Sequence, residues 1–276
     1  MKERTNPIGF IFMILLSAVF LFPIAIVFMN SFKTKFSIMG APFRLPDKDT
    51  FAGLDNYITG ITTAGIGGAF LRSVFITVFS VFALVLLCSM TAWYIMRDTS
   101  RLSRIIYKLF LFSMIVPFQM VMYTMTYVAS GLHLNNPIGI IAVYLGFGSG
   151  LSVFMLGGFV KSIPEELEEA AEIDGCTPLR TFFSIVFPIL KPTAVTVAIL
   201  NAMWIWNDYL LPYLILGNRY KTLPVAIQIS MQGAYGSVNW GGFMAMLVLA
   251  ILPIIIFYLF SQKYIIEGVI AGAVKG

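Results

Sequence analysis

Long apolar runs separated by short polar segments dominate this chain. Ile8 to Phe32 carries no charged side chain, and neither does Ser73 to Met96. A bilayer-crossing helix needs about 20 mostly apolar residues, because charges and unpaired backbone groups are costly in hydrocarbon. Both windows meet that length. Leu109 to Val160 is charge-free for too long to be one crossing, and His133-Leu134-Asn135-Asn136-Pro137 divides it into two spans and a tight turn. Pro192 to Asn218 holds a single charge, Asp208, and the charge-free stretch from Thr222 ends in the strongly apolar run Gly242 to Phe260. The pattern predicts an all-α polytopic membrane protein. Residues 1–276 form one domain with six transmembrane helices, at about 8–30, 71–96, 106–128, 138–160, 193–217 and 242–262.

Composition agrees: 59% of residues are hydrophobic and 11% charged, where a soluble domain carries roughly 25% charged residues. A net charge of +5 would suggest nucleic acid in a soluble protein, but here the cations sit in short segments between apolar runs. Lys2, Arg4, Arg97, Arg101, Arg104 and Lys108 lie beside membrane ends on one face, which makes that face cytoplasmic and places both termini there. The first run is longer than the core of a secretory signal and no A-x-A-like site follows it, so it reads as a retained span. Two cysteines, Cys88 and Cys176, make no disulfide framework, and the single His133 anchors neither a zinc site nor a nucleophile-histidine pair. On the opposite face, Lys33 to Phe70 and Asn218 to Trp240 have the length of binding loops, and idle surface fits them equally well.

One inter-span segment, residues 161–191, is far longer than a turn requires. Ser162 and Glu165 have capping-box spacing with Pro164 between them, and Glu165, Glu166, Glu168 and Glu169 crowd the positive end of the ensuing helix. Gly175 supplies its stop, and Thr177-Pro178 starts a second helix that reaches Pro188. Leu167, Ala170, Ala171 and Asp174 share one face, whose two central alanines let a foreign groove approach the backbone closely. A solvated acidic helix lying on the headgroups fits the same residues. Glu165, Glu168, Glu169 and Glu172 have the spacing of a carboxylate metal site, but the histidines such sites use are missing.

Glu169-Ala170-Ala171, three residues, Gly175, nine residues, Ile185, one residue, then Phe187-Pro188 resembles the E-A-A-x3-G-x9-I-x-L-P loop of binding-protein-dependent ABC importer permeases, with Phe187 in place of the usual Leu. Trp204-Ile205-Trp206-Asn207-Asp208, Thr222-Leu223-Pro224-Val225 and the ending from Gln262 to Gly276 are similar to the carbohydrate branch, in particular to the shorter, second permease of maltose-type systems. The resemblance implies a type I ABC importer permease fold in a bacterial plasma membrane. It also implies a heterodimer with a sister permease, two cytoplasmic ABC ATPase subunits and an extracellular sugar-binding protein. In that family the loop is a coupling helix, so Glu169, Ala170, Ala171, Asp174 and Gly175 would dock on the ATPase, with Leu179 supporting the second helix and Pro188, at the end of the motif, counted among the coupling residues. The tail, residues 263–276, would reach between the ATPase subunits through Glu267, Gly272, Lys275 and Gly276; a frayed end fits its Gly and Ala content as well.

No Gly-Lys pair exists from which to build a P-loop, so ATP and Mg²⁺ belong on the partner ATPase, and the chain itself is expected to bind no cofactor and to be no enzyme. Tyr127, Trp204, Asn207 and Asp208 are candidates for the substrate path: Asp208 is ionisable within a span, and aromatic rings stack on sugars. Against this, Asn207-Asp208 followed by Pro212 also suits a bend where side chains serve freed backbone, and aromatic residues favour membrane interfaces. Gly146-Phe147-Gly148-Ser149-Gly150 lacks the strand-to-helix context of a dinucleotide loop and fits helix packing or a bend. An ATP-independent secondary transporter or a channel remains the alternative, since Asn-Pro-Ile-Gly occurs at both Asn6 and Asn136. There, Asn as N-cap and Pro at the first helical position explain the motif without a pore.

Overall fold

The computed structural model describes residues 7–231 and 238–273, with the backbone alone at 63, 64 and 264–273. It is all helical among these residues, apart from an isolated antiparallel bridge between Lys33 and Phe51. In chain order the helices are α1 (Pro7–Asn30), α2 (Lys35–Gly40), α3 (Asp55–Ala64), α4 (Ile66–Arg97), α5 (Arg101–Ile115), α6 (Phe118–Gly131) and α7 (Gly139–Val160). There follow α8 (Glu166–Ile173), α9 (Pro178–Thr181), a π-turn at Phe182–Val186, α10 (Phe187–Asn207), α11 (Leu210–Leu216), α12 (Leu223–Met231) and α13 (Trp240–Ala273). Among the described residues, five helical stretches are long and apolar enough to cross a bilayer, or six when the bent pair α5 and α6 counts as one span.

That bent pair departs from the continuous third span expected at 106–128. α5 and α6 meet at 110° across Val116-Pro117. Pro117 cannot donate its backbone nitrogen and pushes Val116 into extended geometry, so the helix ends there. The fifth span also differs from 193–217. Helix continues from Pro178 to Asn207, then breaks at Asp208, and α11 resumes two residues on. Likewise α13 runs without interruption through residue 263, where a separate tail was expected to begin. Asn136 does cap α7: its Oδ1 accepts from the backbone N–H groups of Ile138 (3.1 Å) and Gly139 (2.9 Å). Its counterpart Asn6 lies outside the described residues.

The backbone forms two compact units. Residues 69–225 and 256 onward make one, built round α7, which is apolar on every side and therefore central. Tyr144, Val153 and Leu156 of α7 are fully buried against Ile76, Leu84 and Cys88 of α4 and Ala194 and Val197 of α10. Gly148 and Gly150 serve this packing, while Gly146 faces open space. A Cβ on Gly148 would stand 2.9 Å from Leu84 and Asn201 side-chain atoms, and one on Gly150 would stand 2.9 Å from the Phe110 carbonyl oxygen of α5. Small residues let helices approach this closely inside a membrane. Where the helices touch, Asn201 Nδ2 donates to the Ser152 hydroxyl (3.2 Å), which in turn donates to the Gly148 carbonyl (2.7 Å). The other unit, residues 1–68 and 226–255, contains α1, whose apolar window is 0% buried within the chain. Such a helix suits lipid or another apolar partner, not water.

Gly150→Val should overpack the α5–α7 contact and cost about 1–3 kcal/mol. The expected result is a lowered melting temperature of the detergent-solubilised protein; an unchanged one would show that the close approach carries no strain.

Candidate functional site

The acidic loop folds as a hairpin of α8 and α9. Asp174 ends α8, the Gly175 N–H donates to the Glu172 carbonyl (2.9 Å), and the Cys176 N–H donates to the Ala171 carbonyl (2.9 Å). This pair of bonds requires the residue after the cap to be left-handed, and Gly175 has φ +78°. Thr177 then caps α9, its hydroxyl accepting from the Arg180 N–H (3.4 Å) with Pro178 at the first helical position. Both signals fall where the sequence places them.

The start of α8 does not follow the sequence pattern. Ser162 and Glu165 form no capping box: the Ser162 hydroxyl donates back to the Phe159 carbonyl (2.7 Å), and Glu165 makes no side-chain cap. The turn leaving α7 takes up Ser162, and the start of α8 is instead held from outside by Arg97, the last residue of α4. Arg97 Nη2 donates to the Ile163 carbonyl (2.9 Å) and to Glu168 Oε1 (2.7 Å), while its Nε donates to the same oxygen (3.0 Å). The second Glu168 oxygen accepts from the Trp93 indole N–H (2.8 Å), and Glu165 approaches Arg97 Nη1 at 3.5 Å. The side chains of Arg97 and Glu168 are only 17% and 14% exposed, so little solvent screens the pair. A cleft of about 340 Å³ beside it is lined by Trp93, Arg97, Glu165, Glu168, Glu172 and Cys176. Glu169 lines the same cleft, but Glu168 commits both oxygens to Arg97 and Trp93, and among the described residues no three carboxylates are grouped closely enough to hold a metal ion.

This anchorage divides α8 into two faces. Glu168 and Ala171 turn inward, Ala171 being 5% exposed, while Leu167, Glu169, Ala170, Ile173 and Asp174 are exposed, with Ile173 at 87%. Ala171 therefore leaves the outward face on which the sequence pattern puts it, because the Arg97 anchor rotates α8 to present the 168 and 171 positions to the body. Beneath the hairpin, Phe182, Val186 and Leu190 bury with Val160 and Ile163, and the Trp93 and Phe182 rings lie 5.5 Å apart. The support assigned to Leu179 falls to these residues, since Leu179 is exposed, as is Pro188. Pro188 lacks the N–H that would continue the ladder, and just ahead of it the Phe187 N–H reaches the Phe182 carbonyl, the wider spacing of a π-turn.

Of the path candidates, Trp204 and Asp208 come together around Tyr144. The Tyr144 hydroxyl donates to Asp208 Oδ2 (3.1 Å), and the Tyr144 and Trp204 rings meet edge to face at 5.5 Å. Asp208 Oδ1 accepts from the Leu211 N–H (3.3 Å), so its carboxylate caps α11 at the break. Asn207 Nδ2 donates to the Met203 carbonyl (2.7 Å), and Tyr127 stands exposed on α6. Of the tail residues, Glu267 and Gly272 fall on the backbone of α13, and Lys275 and Gly276 lie outside the described residues. Sequence reasoning missed Trp93, Arg97 and Glu168 as one cluster. The usable signal was a Trp and an Arg four residues apart at the end of a span, which share a helix face.

Residues 85–270 match the family described as binding-protein-dependent transport system inner membrane component. The chain is 40% identical over 262 residues to the probable starch degradation products transport system permease protein AmyC of Thermoanaerobacterium thermosulfurigenes, covering 95% of this chain and 94% of that one. It is also 40% identical over 260 residues to the multiple sugar-binding transport system permease protein MsmG of Streptococcus mutans, with 92% of each covered. Its backbone superposes with a TM-score of 0.78 and 21% identity on a chain from the crystal structure of a bacterial ABC transporter involved in the import of the acidic polysaccharide alginate, over 96% of this chain and 99% of that chain.

Breaking the anchor from one side should strand a partly buried charge. Arg97→Met is expected to destabilise by about 3–5 kcal/mol, and Arg97→Met with Glu168→Met to recover much of that loss. A double-mutant cycle on thermal unfolding checks this, and additive losses would deny the pairing its role.

Proposed function

The chain belongs to the family of binding-protein-dependent transport system inner membrane components, and from that membership we propose that it is a permease subunit of an ATP-driven sugar importer. Both named relatives are sugar-system permeases by their descriptions. The observation that carries the reading is the α8–α9 hairpin: an exposed helix face, Glu169, Ala170, Ile173 and Asp174, on a body fixed by Glu168 to the end of α4.

In this reading the N-terminus is cytoplasmic, which puts α8 in the cytoplasm of a bacterial cell beneath the plasma membrane. A partner ATPase, holding ATP and Mg²⁺, receives the exposed face of α8 in a surface groove. A sister permease, a second ATPase subunit and an extracellular sugar-binding protein complete the machine. Closure of the ATPase pair displaces α8. Two stiff connections carry the displacement into the membrane: the Arg97–Glu168 pair pulls on α4, and the Phe182–Leu190 stretch pulls on α10, with which it is continuous. Glu267 and Gly272 of the tail add a second contact to the ATPase, together with Lys275 and Gly276. A secondary transporter or channel has no use for a docking helix pinned to a spanning helix in this way.

For the substrate path, the break at Asp208 is the feature to which Trp204 and Asn207 contribute, with Trp204 offering a ring face for sugar stacking. Asp208 acts as a positioning group, holding Tyr144 and the start of α11. Tyr127 takes an outlying place on the same path.

Two neighbouring alanines separate docking from folding. Ala170→Asp, on the exposed face, should abolish uptake of labelled sugar and recovery of the ATPase on purification while leaving the melting temperature unchanged. Ala171→Asp, on the buried face, should lower that temperature, because an unpaired carboxylate is forced inward. Normal uptake with Ala170→Asp would refute the docking role.

A further inference from the structure

The segment after α1 doubles back along the helix it has just left. Asn30, the last residue of α1, donates from Nδ2 to the Ile26 carbonyl (2.9 Å) and to the Pro42 carbonyl (3.0 Å). The Phe43 ring then stacks on that of Phe22, centroids 6.4 Å apart. Phe22 precedes Asn30 by eight residues, which at 1.5 Å per residue is about 12 Å back toward the middle of the span. Phe43 is therefore carried below the end of a membrane-crossing helix, yet it is 70% exposed. Leu45, Phe36 and Met39 are exposed in the same segment, the last two one turn apart on α2, while Ile38 is buried.

The backbone of this segment is equipped for a place without water. Lys33 is fully buried, and its ammonium donates to the Ala41 carbonyl (2.7 Å) and the Arg44 carbonyl (2.9 Å). With Asn30 on Pro42, side-chain donors serve the carbonyls of 41, 42 and 44. A turn in water needs no such provision, because solvent satisfies its carbonyls; a turn beside hydrocarbon does. Pro42 and Pro46 have no N–H to satisfy. Arg44 is exposed with its guanidinium 3.4 Å from the Asp47 carboxylate, and with Lys48 and Asp49 these residues form an exposed polar tip.

We propose that residues 41–45, with Phe36 and Met39, form a hook seated among the acyl chains of the leaflet that α1 enters with its C-terminal end. The occupant of this apolar surface is lipid, since the surface lies at the depth of Phe22 in a bilayer-crossing helix and is bordered by the exposed charges of Arg44, Asp47, Lys48 and Asp49, which suit a headgroup layer. The hook sets how deeply α1 sits and fixes the start of the long loop that follows. It does not depend on what the protein transports.

Site-directed spin labelling tests the proposal. In a chain carrying Cys88→Ala and Cys176→Ser, labels are placed singly at Phe43→Cys, Met39→Cys and Asp49→Cys. The full chain with its co-purifying subunits is reconstituted in phosphatidylethanolamine–phosphatidylglycerol vesicles. Collision rates with oxygen, which concentrates in hydrocarbon, and with a water-soluble nickel chelate are then read by power saturation. Oxygen should dominate at 43 and 39 and the nickel chelate at 49. Nickel access at 43 and 39 matching that at 49 would place the segment in water, and protection from both reagents would place it under a protein subunit. Either result overturns the proposal. Should Phe43→Cys prevent assembly, Met39→Cys alone decides between the same outcomes.

Discussion

The placement of the acidic hairpin depends on one ion pair. Arg97 ends a spanning helix, and its guanidinium holds both the Glu168 carboxylate and the Ile163 carbonyl. An exposed pair of this kind would contribute little, because water screens it and side-chain entropy opposes it. Here both side chains are largely withdrawn from solvent and Trp93 satisfies the second carboxylate oxygen, so the geometry is over-determined. Without it, α8 would be a short helix tied to the body mainly by the turns at its two ends. With it, α8 is held to the end of α4, and Phe182 packs the start of the helix that becomes α10 beneath it.

Stiffness at that end contrasts with deliberate interruption elsewhere. Helix is broken at Pro117, widened ahead of Pro188 and broken again at Asp208. Each interruption frees backbone groups that hydrocarbon cannot serve. At Asp208 the repair is explicit: one carboxylate oxygen takes the Leu211 N–H, and the other is held by the Tyr144 hydroxyl from the central helix. An ionisable group inside a span thus acquires a structural duty before any duty toward a solute. The same reasoning explains Lys33 and Asn30, which serve the carbonyls of a turn pressed against the first span.

Much of this was legible from residue order. Apolar runs revealed the spans because bilayer thickness imposes a length, and Gly175 and Thr177-Pro178 revealed the hairpin because caps act over a few residues. Of the glycines at 146–150, whose pattern fits packing or a bend, Gly148 packs against α4 and α10 and Gly150 against α5, while Gly146 faces open space. The capping box was misjudged because Ser162 had a nearer acceptor in the turn that leaves α7, and the continuous third span because Pro117 falls inside an uninterrupted apolar run.

Sequence alone determined the class of the protein, the approximate number of its spans, and the local shape of the acidic hairpin, since hydropathy and capping are properties of neighbouring residues. The tertiary structure decided which way that hairpin faces, that Ala171 is interior while Ala170 is not, and that Asp208 answers to Tyr144. It also decided that Phe43 returns to the level of Phe22. Each of these depends on partners far away along the chain, Arg97 to Glu168 and Tyr144 to Asp208, and such pairings leave no periodicity to read; they exist only once packing has brought the helices together.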